Sequence, residues 1–305
     1  MKEIKPQTIS FKAQDGWDLK GDLYRGHNPR IAIMISSGTG FPKEFYQAVA
    51  TYLAGLGAVV LTYDYRGIGA SAGPDLAGSD IDLPDWARLD QAAVVDALEV
   101  EAAGLPITHI AHSVGGHMVG LMPNHDRVKK HAFVSVGAGY FGAHHLKSIP
   151  STLYFWWGMG AYSLLRHGYI KQIGGWRGSP LPPQVFRTWR RWSHNSSYFQ
   201  DDLSGFLRPH EFDKVTAPIR SWLFPDDPIA TEKSSKTIMD CYPNAQKSIV
   251  WRKASEVGVK HIGHEGAFRK GREALWDEWW QWLVKEEAVS QPEPPQQEAK
   301  ILRTV

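Results

Sequence analysis

Cysteine is almost absent from this sequence of 305 residues, because Cys241 is the only one. A single thiol excludes an internal disulfide and a cysteine-based metal site, and it is compatible with a reducing compartment. Long apolar runs are absent too, since no stretch reaches the roughly 18 apolar residues that a membrane-spanning helix needs. Residues 1–6 also lack the apolar core of a secretion signal. We therefore expect a cytoplasmic protein without a membrane span.

A strong excess of charge of either sign is also lacking. The formal net charge is +2, so the composition gives no electrostatic basis for binding nucleic acid or an anionic membrane. The apolar fraction of 43% and the charged fraction of 22% are ordinary for a globular protein. The length allows one large α/β domain with an insertion, or two modest domains. Tryptophan stands out, with 13 residues, many of them in 156–192 and 276–282.

Strand and helix patterns alternate over much of the chain. Strands at 8–12 and 17–24 are joined by Asp15-Gly16, which is a hairpin signal. The other predicted elements are strands at 30–36, 58–63, 106–111, 131–136, 219–224 and 247–251, and helices at 43–56, from Pro84, from Val114, at 231–240 and at 268–285. This alternation predicts an α/β fold, with a mostly parallel twisted sheet and helices on both of its faces.

The alternation stops between residues 137 and 213. This segment is rich in aromatic residues, among them Tyr154-Phe155-Trp156-Trp157, and its pattern predicts short helices and loops. We expect it to be a mainly helical insertion between a first core part at 1–136 and a second at 214–286. Residues 287–305 are rich in Pro, Gln and Glu and are predicted to form a disordered tail.

The clearest chemical signal is the run His-Ile-Ala-His-Ser-Val-Gly-Gly at residues 109–116. It follows a predicted strand and nearly matches the G-x-S-x-G nucleophile elbow, with Ala111 in place of the first glycine. The elbow needs small neighbours, because the turn is tight and the backbone of the serine is strained. Ser113 is therefore the candidate nucleophile.

An acid and then a histidine follow Ser113 along the chain. This order of Ser, Asp and His differs from the orders found in chymotrypsin-like and subtilisin-like enzymes. His264 lies in a glycine-flanked loop before the last predicted helix, and we favour it over His261 as the general base. Asp226 and Asp227 directly follow the strand at 219–224, and either carboxylate could orient that histidine. A serine hydroxyl needs such a base, because it is a weak nucleophile at neutral pH.

Two backbone N–H groups are candidates for holding a developing oxyanion. One belongs to Val114, which directly follows the serine and is predicted to open a helix whose dipole adds to the effect. The second belongs to the loop Ser37-Gly38-Thr39-Gly40, in which Thr39 is the best donor. Taken alone, that loop is an ordinary glycine turn, so its assignment depends on Ser113.

These motifs resemble the α/β-hydrolases of the serine-aminopeptidase or monoacylglycerol-lipase-like group, in particular a bacterial set of predicted hydrolases with a Trp-rich insertion. The matching residues are the D-x-R-G-x-G-x-S run at 64–71, Phe45-Tyr46, the Ser113 elbow, Asp227-Pro228, and Gly-His-Glu-Gly at 263–266. The resemblance covers residues 8–285 and departs from the pattern at Ala111 and at Ser37, where a histidine is often found.

The resemblance implies the α/β-hydrolase fold, a triad of Ser113, His264 and Asp227, no cofactor, and a cap formed by residues 137–213. It favours Asp227 over Asp226, because an Asp-Pro-Ile sequence usually carries the acid in this group. It gives no substrate, since the fold hosts many chemistries. Asp64 and Arg66 are expected to fix a turn beside the site by ion pairs and hydrogen bonds.

The aromatic residues of the insertion allow two interpretations. Aromatic clusters usually pack against one another, but a cap over a triad also lines the substrate pocket, which favours an apolar acyl substrate. The candidate substrate-binding residues are Tyr154, Trp156 and Trp157. The histidines at 117, 144 and 145 have no partners at metal-site spacing, so no metal is expected.

Three functions are open at this point. The first is hydrolysis of a carboxylic ester or thioester through an acyl-enzyme. The second is acyl transfer, or peptide or amide cleavage, on the same three residues, which differs in the exclusion of water rather than in the motif. The third is a non-catalytic binding protein that has kept the fold, and the intact Ser, Asp and His argue against it. A nicotinamide-binding enzyme is disfavoured, because Gly67-Ile68-Gly69 lacks a third glycine in register.

Overall fold

The computed structural model describes residues 4–285, which are organised around one eight-stranded sheet. The order of strands across the sheet is β1-β2-β4-β3-β5-β6-β7-β8. The strands are β1 (Gln7–Lys12), β2 (Asp18–Arg25), β3 (Ile31–Ser36), β4 (Ala58–Tyr63), β5 (Ile107–His112), β6 (Val128–Val134), β7 (Ile219–Leu223) and β8 (Lys247–Trp251). The predicted tail at 287–305 lies outside the described residues.

The sheet is mostly parallel, as the alternating sequence pattern predicts. β1 and β2 form an antiparallel hairpin at one edge, β2 pairs antiparallel with β4, and the remaining pairs are parallel. Every residue of β3, β4 and β5 is buried, which is expected where helices cover both faces of a parallel sheet. The predicted α/β fold class is confirmed.

Helices pack on both faces of this sheet. They are α1 (Gln47–Gly55), α2 (Leu83–Asp85), α3 (Ala92–Glu101), α4 (Ile149–Leu153), α5 (Gly160–His167), α6 (Pro183–Ser193), α7 (Glu232–Met239) and α8 (Glu273–Val284). On one face, Leu53 of α1 shares a core with Trp276 and Trp279 of α8. On the other, Val94 and Leu98 of α3 belong to a second core.

The helix predicted from Val114 is wrong. The chain there forms two short 3₁₀ turns, Ser113–Gly116 and Val119–Leu121. Between them Met118 has a φ of −126°, which interrupts helical hydrogen bonding. The glycines of this stretch favour the interruption, because glycine has a low helix propensity. Gly120 is also pressed against Phe212, where an added Cβ would lie 2.5 Å from the ring.

The segment between β6 and β7 supplies no strand to the described sheet. α4, a π-helical turn at Tyr154–Met159 and α5 follow one another without a break and form one helical run, and α6 lies further along the chain. The segment is attached to loops at the carboxyl ends of the strands. The N–H of Ser179 donates to the carbonyl of Gly40 at 2.7 Å, and Trp176 packs so closely on Gly40 that a Cβ there would lie 2.5 Å from its ring.

Gly115 is required by the close approach of β3 to the turn after β5. A Cβ at this position would lie 2.6 Å from the carbonyl oxygen of Ser36, which is the last residue of β3. The obstacle is backbone in the centre of the sheet, so it cannot move aside as a flexible side chain can. The loop after β3 and the turn after β5 are therefore held in direct contact.

We predict that Gly115→Ala lowers the free energy of unfolding by roughly 1–3 kcal/mol, the usual effect of overpacking a tight interior. Gly55→Ala is the matched control, since nothing lies within 4 Å of a Cβ there and its backbone is helical. That control should change stability by less than about 1 kcal/mol, because alanine favours helix over glycine. Urea denaturation of both variants measures the difference, and equal stabilities would contradict the close approach.

Candidate active site

Ser113 lies at the sharp turn that directly follows β5. Its φ is 51°, in the left-handed region that residues with a Cβ rarely adopt. β5 is flanked by β3 and β6 in the sheet, so the turn lies at the centre of its carboxyl edge. This strained backbone at a serine is the geometry that the elbow motif predicts.

His264 is within hydrogen-bond distance of this serine. Its Nε2 lies 2.9 Å from Oγ of Ser113, and its Nδ1 lies 2.9 Å from Oδ2 of Asp227. A carboxylate is an acceptor only, so the proton of the neutral imidazole is on Nδ1. Nε2 then carries the lone pair and accepts the hydroxyl proton of Ser113. The structure thus brings together Ser113, His264 and Asp227, which the sequence analysis selected.

Asp227 is a buried carboxylate that keeps its charge. Its Oδ1 accepts the N–H groups of Ile229 at 2.8 Å and Ala230 at 3.0 Å, in addition to the contact with His264. Burial alone would raise the pKa of Asp227, but the charge of His264 and these hydrogen bonds outweigh it and lower the pKa to about 2. The group is therefore ionised throughout the neutral range.

The contact between Asp227 and His264 also shifts the pKa of His264. Burial acts to lower the pKa of His264, but the charge and hydrogen bond of Asp227 outweigh it and raise the pKa above the ordinary value of 6.5. The neutral form, which can accept a proton, therefore becomes dominant only at a higher pH than for an isolated histidine. Any activity that uses His264 as a base should decline as the pH falls through this raised pKa.

Asp226 and His261, the two alternatives from the sequence, pair with each other instead. Oδ2 of Asp226 lies 2.7 Å from Nδ1 of His261 and also accepts the N–H of Ile262 at 2.8 Å. His261 is largely exposed, whereas the side chain of His264 is mostly buried. Asp226 thus holds the start of the loop that carries His264.

A second chain of hydrogen bonds joins the residue before the serine to two other loops. Nε2 of His112 lies 2.9 Å from the carbonyl oxygen of His264, and its Nδ1 lies 2.7 Å from the hydroxyl of Tyr46. The hydroxyl oxygen of Tyr46 accepts the N–H of Gly38 at 2.9 Å. Because a carbonyl only accepts, Nε2 of His112 donates, and Tyr46 donates to Nδ1. Every contact in this chain is satisfied with a neutral imidazole.

The titration of His112 agrees with that assignment. Its imidazole is fully buried, and burial lowers its pKa to about 3. In the sequence, His112 and Tyr46 stand within the two motifs at 109–116 and 45–46, but the motifs alone predict no role for either side chain. A polar residue at the end of a buried strand, directly before the serine, was the available signal. These residues position the loops around Ser113 and do not contact its side chain in the described hydrogen bonds.

The two segments that carry the candidate oxyanion donors follow neighbouring strands, because β3 and β5 are paired. Ser36 is opposite Ala111 in the parallel register, so the loop with Thr39 and the turn with Val114 leave the same edge of the sheet. Both residues are buried. The N–H of Gly38 is bonded to Tyr46 and that of Phe41 to the carbonyl of Gly38, so the candidate amides of this loop are those of Thr39 and Gly40. The 3₁₀ turn at Val114 is too short for a large helix dipole.

The candidate substrate-binding aromatics occupy different environments. Trp156 is buried against the rings of Phe186 and Trp189. Trp157 is 57% exposed and donates from its ring nitrogen to His194 at 2.9 Å. Tyr154 is also exposed. The three therefore differ in how much packing their replacement would disturb.

Asp64 and Arg66 bind backbone and carboxylates around the turn after β4. The carboxylate of Asp64 accepts the N–H groups of Lys43 at 2.8 Å and Ala70 at 2.9 Å. Arg66 contacts Asp90 and Asp15, each at 2.7 Å. Within residues 4–285, no group of three or more His, Cys, Asp or Glu side chains could hold a metal ion. No helix in that same range is long and apolar enough to cross a membrane.

Comparisons with known proteins match a part of this chain at the level of sequence. The model of the serine aminopeptidase S33 family matches residues 27–171. The human monoglyceride lipase is 33% identical over 88 residues, which are 29% of this chain and 28% of that protein. The chain thus matches less than a third of the length of that relative.

Solved structures match over almost the whole chain. One is a soluble variant of monoglyceride lipase from Saccharomyces cerevisiae in complex with a substrate analog, with a TM-score of 0.64 at 16% identity. The match covers 93% of this chain and 95% of that protein chain. Another is an esterase of Pyrococcus furiosus, with a TM-score of 0.59 at 14% identity. That match covers 92% of this chain and 91% of the esterase chain. Likeness at such identities shows the fold.

We predict that Asp227→Asn lowers the pKa of His264, because it removes the negative charge that raises it. Asp226→Asn is the matched control and should leave that pKa nearly unchanged, since Asp226 pairs with His261. The imidazole proton resonances of His264, assigned with a His264→Gln variant, measure both by NMR titration. A larger shift in Asp226→Asn than in Asp227→Asn would assign the orienting role to Asp226.

Proposed function

We propose that this chain, which belongs to the monoglyceride-lipase-like group of the α/β-hydrolase superfamily, is a serine hydrolase that cleaves a carboxylic ester or thioester. The observation that carries the proposal is the continuous hydrogen-bonded series of Ser113, His264 and Asp227, with the serine on a strained turn. We assign the three residues the roles of nucleophile, general base and orienting acid.

In the first half of the reaction, Oγ of Ser113 attacks the acyl carbon while its proton passes to Nε2 of His264. The resulting imidazolium is stabilised by the ionised Asp227, whose pKa of about 2 keeps it from accepting that proton. When the tetrahedral intermediate collapses, the bond to the alcohol or thiol breaks and the leaving group takes the proton from His264. The product is an ester between the acyl group and Ser113.

In the second half, a water molecule takes the place of the leaving group. His264 accepts a proton from the water, the water oxygen attacks the acyl carbon, and collapse returns the proton to Ser113 with release of the acid. The backbone N–H groups of Thr39 and Val114 are proposed to hold the oxyanion in both halves. The pairing of β3 with β5, which brings the loop with Thr39 and the turn with Val114 to the same edge of the sheet, supports this assignment.

The alternative chemistries differ in what reaches the acyl-enzyme. Acyl transfer requires an alcohol or amine to replace water, and peptide or amide cleavage requires a poorer leaving group to be protonated. The similar proteins include a monoglyceride lipase and an esterase, which favour oxygen esters, while the matching family is named for an aminopeptidase. The intact hydrogen-bonded series argues against a protein that binds without catalysis.

We further propose that residues 137–213 form a cap and that the core comprises residues 1–136 and 214–286. The attachment of Ser179 and Trp176 to Gly40 supports this, because Gly40 belongs to the same loop as Thr39. The aromatics Tyr154, Trp156 and Trp157 are proposed to line the path of an apolar acyl group. A small-molecule acyl substrate of this kind agrees with the relatives that were solved with substrate analogs.

We predict that a fluorophosphonate probe labels Ser113 and no other residue. An activated serine attacks phosphorus as it attacks an acyl carbon, and the tetrahedral adduct occupies the oxyanion position. Intact mass and peptide mapping locate the label, with Ser113→Ala as the control. Labelling that persists in that variant, or an unlabelled wild type, would refute the assignment of the nucleophile.

We predict that Trp157→Ala changes the preference among acyl chain lengths more than it changes turnover of a short activated ester. Trp251→Ala is the matched control, because Trp251 is 39% exposed in the edge strand β8, at the far side of the sheet. Trp156→Ala is unsuitable, since removing a buried tryptophan costs roughly 3–5 kcal/mol of stability. An unchanged chain-length profile in Trp157→Ala would show that this residue does not select the substrate.

A further inference from the structure

The backbone after Ser113 lacks the hydrogen bonds that a continuous helix would supply. In an α-helix that began at Ser113, the N–H of Val119 would donate to the carbonyl of Gly115. The two residues after Val119 would donate in the same way to Gly116 and His117. The chain instead forms two short 3₁₀ turns, and all four of these residues are buried. Because buried backbone groups without partners are costly, they need partners from elsewhere in the fold.

The side chain of Gln91 is the partner of the first of these carbonyls. Its Nε2 donates to the carbonyl oxygen of Gly115 at 2.7 Å and to the hydroxyl of Tyr65 at 3.0 Å. A carbonyl only accepts, so the amide nitrogen must face Gly115 and the orientation of the side chain is fixed. Gln91 is buried and is the last residue of a π-helical turn, Trp86–Gln91, directly before α3. Such turns are frequent at functional sites.

The hydroxyl of Tyr242 supplies the other partners. It accepts the N–H of Val119 at 3.1 Å, and it lies 3.0 Å from the carbonyl oxygen of His117 and 3.2 Å from that of Gly116. The hydroxyl thus enters the gap in the helical hydrogen bonds, where it accepts from one side and donates its single proton to the other. Tyr242 is fully buried, and burial raises the pKa of its hydroxyl well above the ordinary value, so the proton is retained.

Both side chains come from elements that hold other loops of the site. Tyr242 follows the end of α7, and α7 begins shortly after the loop that carries Asp227. Gln91 follows Asp90, which is buried and binds Arg66 in the turn after β4. The turn after β5 is therefore hydrogen-bonded to two elements that are far apart in the sequence.

We propose that Gln91 and Tyr242 replace the missing helical hydrogen bonds and act as positioning residues for Ser113. By the same contacts they orient the N–H of Val114. The φ of 51° at Ser113 persists only where the surroundings over-determine the backbone, and these two side chains supply that constraint. Neither contacts Ser113 or His264 in the described hydrogen bonds, so the effect passes through the backbone. The inference rests on the proposed function, because it concerns the same nucleophile.

Tyr242→Phe and Gln91→Met test the proposal, because each nearly keeps the size of the side chain and removes its hydrogen bonds. The rate constant of fluorophosphonate labelling of Ser113 measures the placement of the serine, and the final extent of labelling counts the folded molecules. We expect complete labelling at a rate constant that is lowered about tenfold in each variant. Outright loss of an oxyanion donor costs on the order of 100- to 1000-fold, and a displaced donor should cost less.

Turnover of a short activated ester separates positioning from binding. In both variants kcat should fall by about tenfold while KM stays within about twofold, because the lost interaction acts in the transition state. The pH at which activity is half-maximal should not move, since His264 keeps its contact with Asp227.

Two control variants remove a hydroxyl elsewhere in the core. Tyr24→Phe changes another fully buried tyrosine, in β2, which β4 and β3 separate from β5. Thr108→Val removes the hydroxyl that donates to the carbonyl of Ala32 at 3.1 Å, near the start of β5, whereas Ser113 follows its end. Both controls should be labelled at the wild-type rate, even where thermal melting shows a loss of stability.

The results that would overturn the proposal are distinct. Labelling of Tyr242→Phe and Gln91→Met at the wild-type rate, with only the melting temperature lowered, would show that the two residues stabilise the fold and nothing more. A raised KM with an unchanged kcat would also overturn it. An unlabelled wild type would refute the proposed function and this inference with it, so the two failures are distinguishable.

Hydrogen exchange of the wild type tests the contacts without a substitution that could prevent folding. The N–H of Val119 is buried and bound to Tyr242, so it should exchange slowly, whereas that of the exposed Gly104 should exchange fast. In Tyr242→Phe, exchange at Val119 should become at least about tenfold faster, while exchange at Ile33 in the central strand β3 should be much less affected. Exchange at Val119 as fast as at Gly104 in the wild type would overturn the proposal.

Discussion

The buried negative charge of Asp227 is the interaction on which the arrangement around Ser113 depends. A carboxylate that is 1% exposed stays ionised only because His264 and two backbone amides bind its oxygens. That charge fixes the proton of His264 on Nδ1 and so directs the lone pair of Nε2 at the serine. The strained backbone of Ser113 holds the hydroxyl at the other end of that hydrogen bond.

The parallel sheet explains how residues so distant in sequence meet. β3, β5 and β7 all end at one edge, and the loops that follow them carry Thr39, Ser113 and Asp227. The sheet alone does not fix the loops, however, because loops after strands are otherwise free to move. The hydrogen bonds of His112 to the carbonyl of His264 and to Tyr46, which also accepts the N–H of Gly38, connect the turn of Ser113 with the loops that carry His264 and Thr39.

The sequence predicts the sheet and the order of Ser113, Asp227 and His264 well, since apolar strands and glycine-bounded turns are local signals. It fails for the helix after Ser113, because the packing of Gly120 against Phe212 is a long-range contact. The role of Tyr46 was missed for the same reason, as its partner His112 is 66 residues away. The choice between Asp226 and Asp227 followed from a family resemblance, and only geometry shows which histidine each one meets.

Residues 137–200 contain seven Lys and Arg residues and no Asp or Glu, whereas the whole chain has a net charge of only +2, so this segment is the positive pole of an electric dipole. A dipole experiences a torque in a field, so a negatively charged body would turn the molecule before any contact forms. The loop of Gly40 is hydrogen-bonded to Ser179 in this positive segment and would therefore face the same negatively charged body. The first encounter would then present one side of the molecule in preference to the others, and the preference would fade as ionic strength shortens the range of the field.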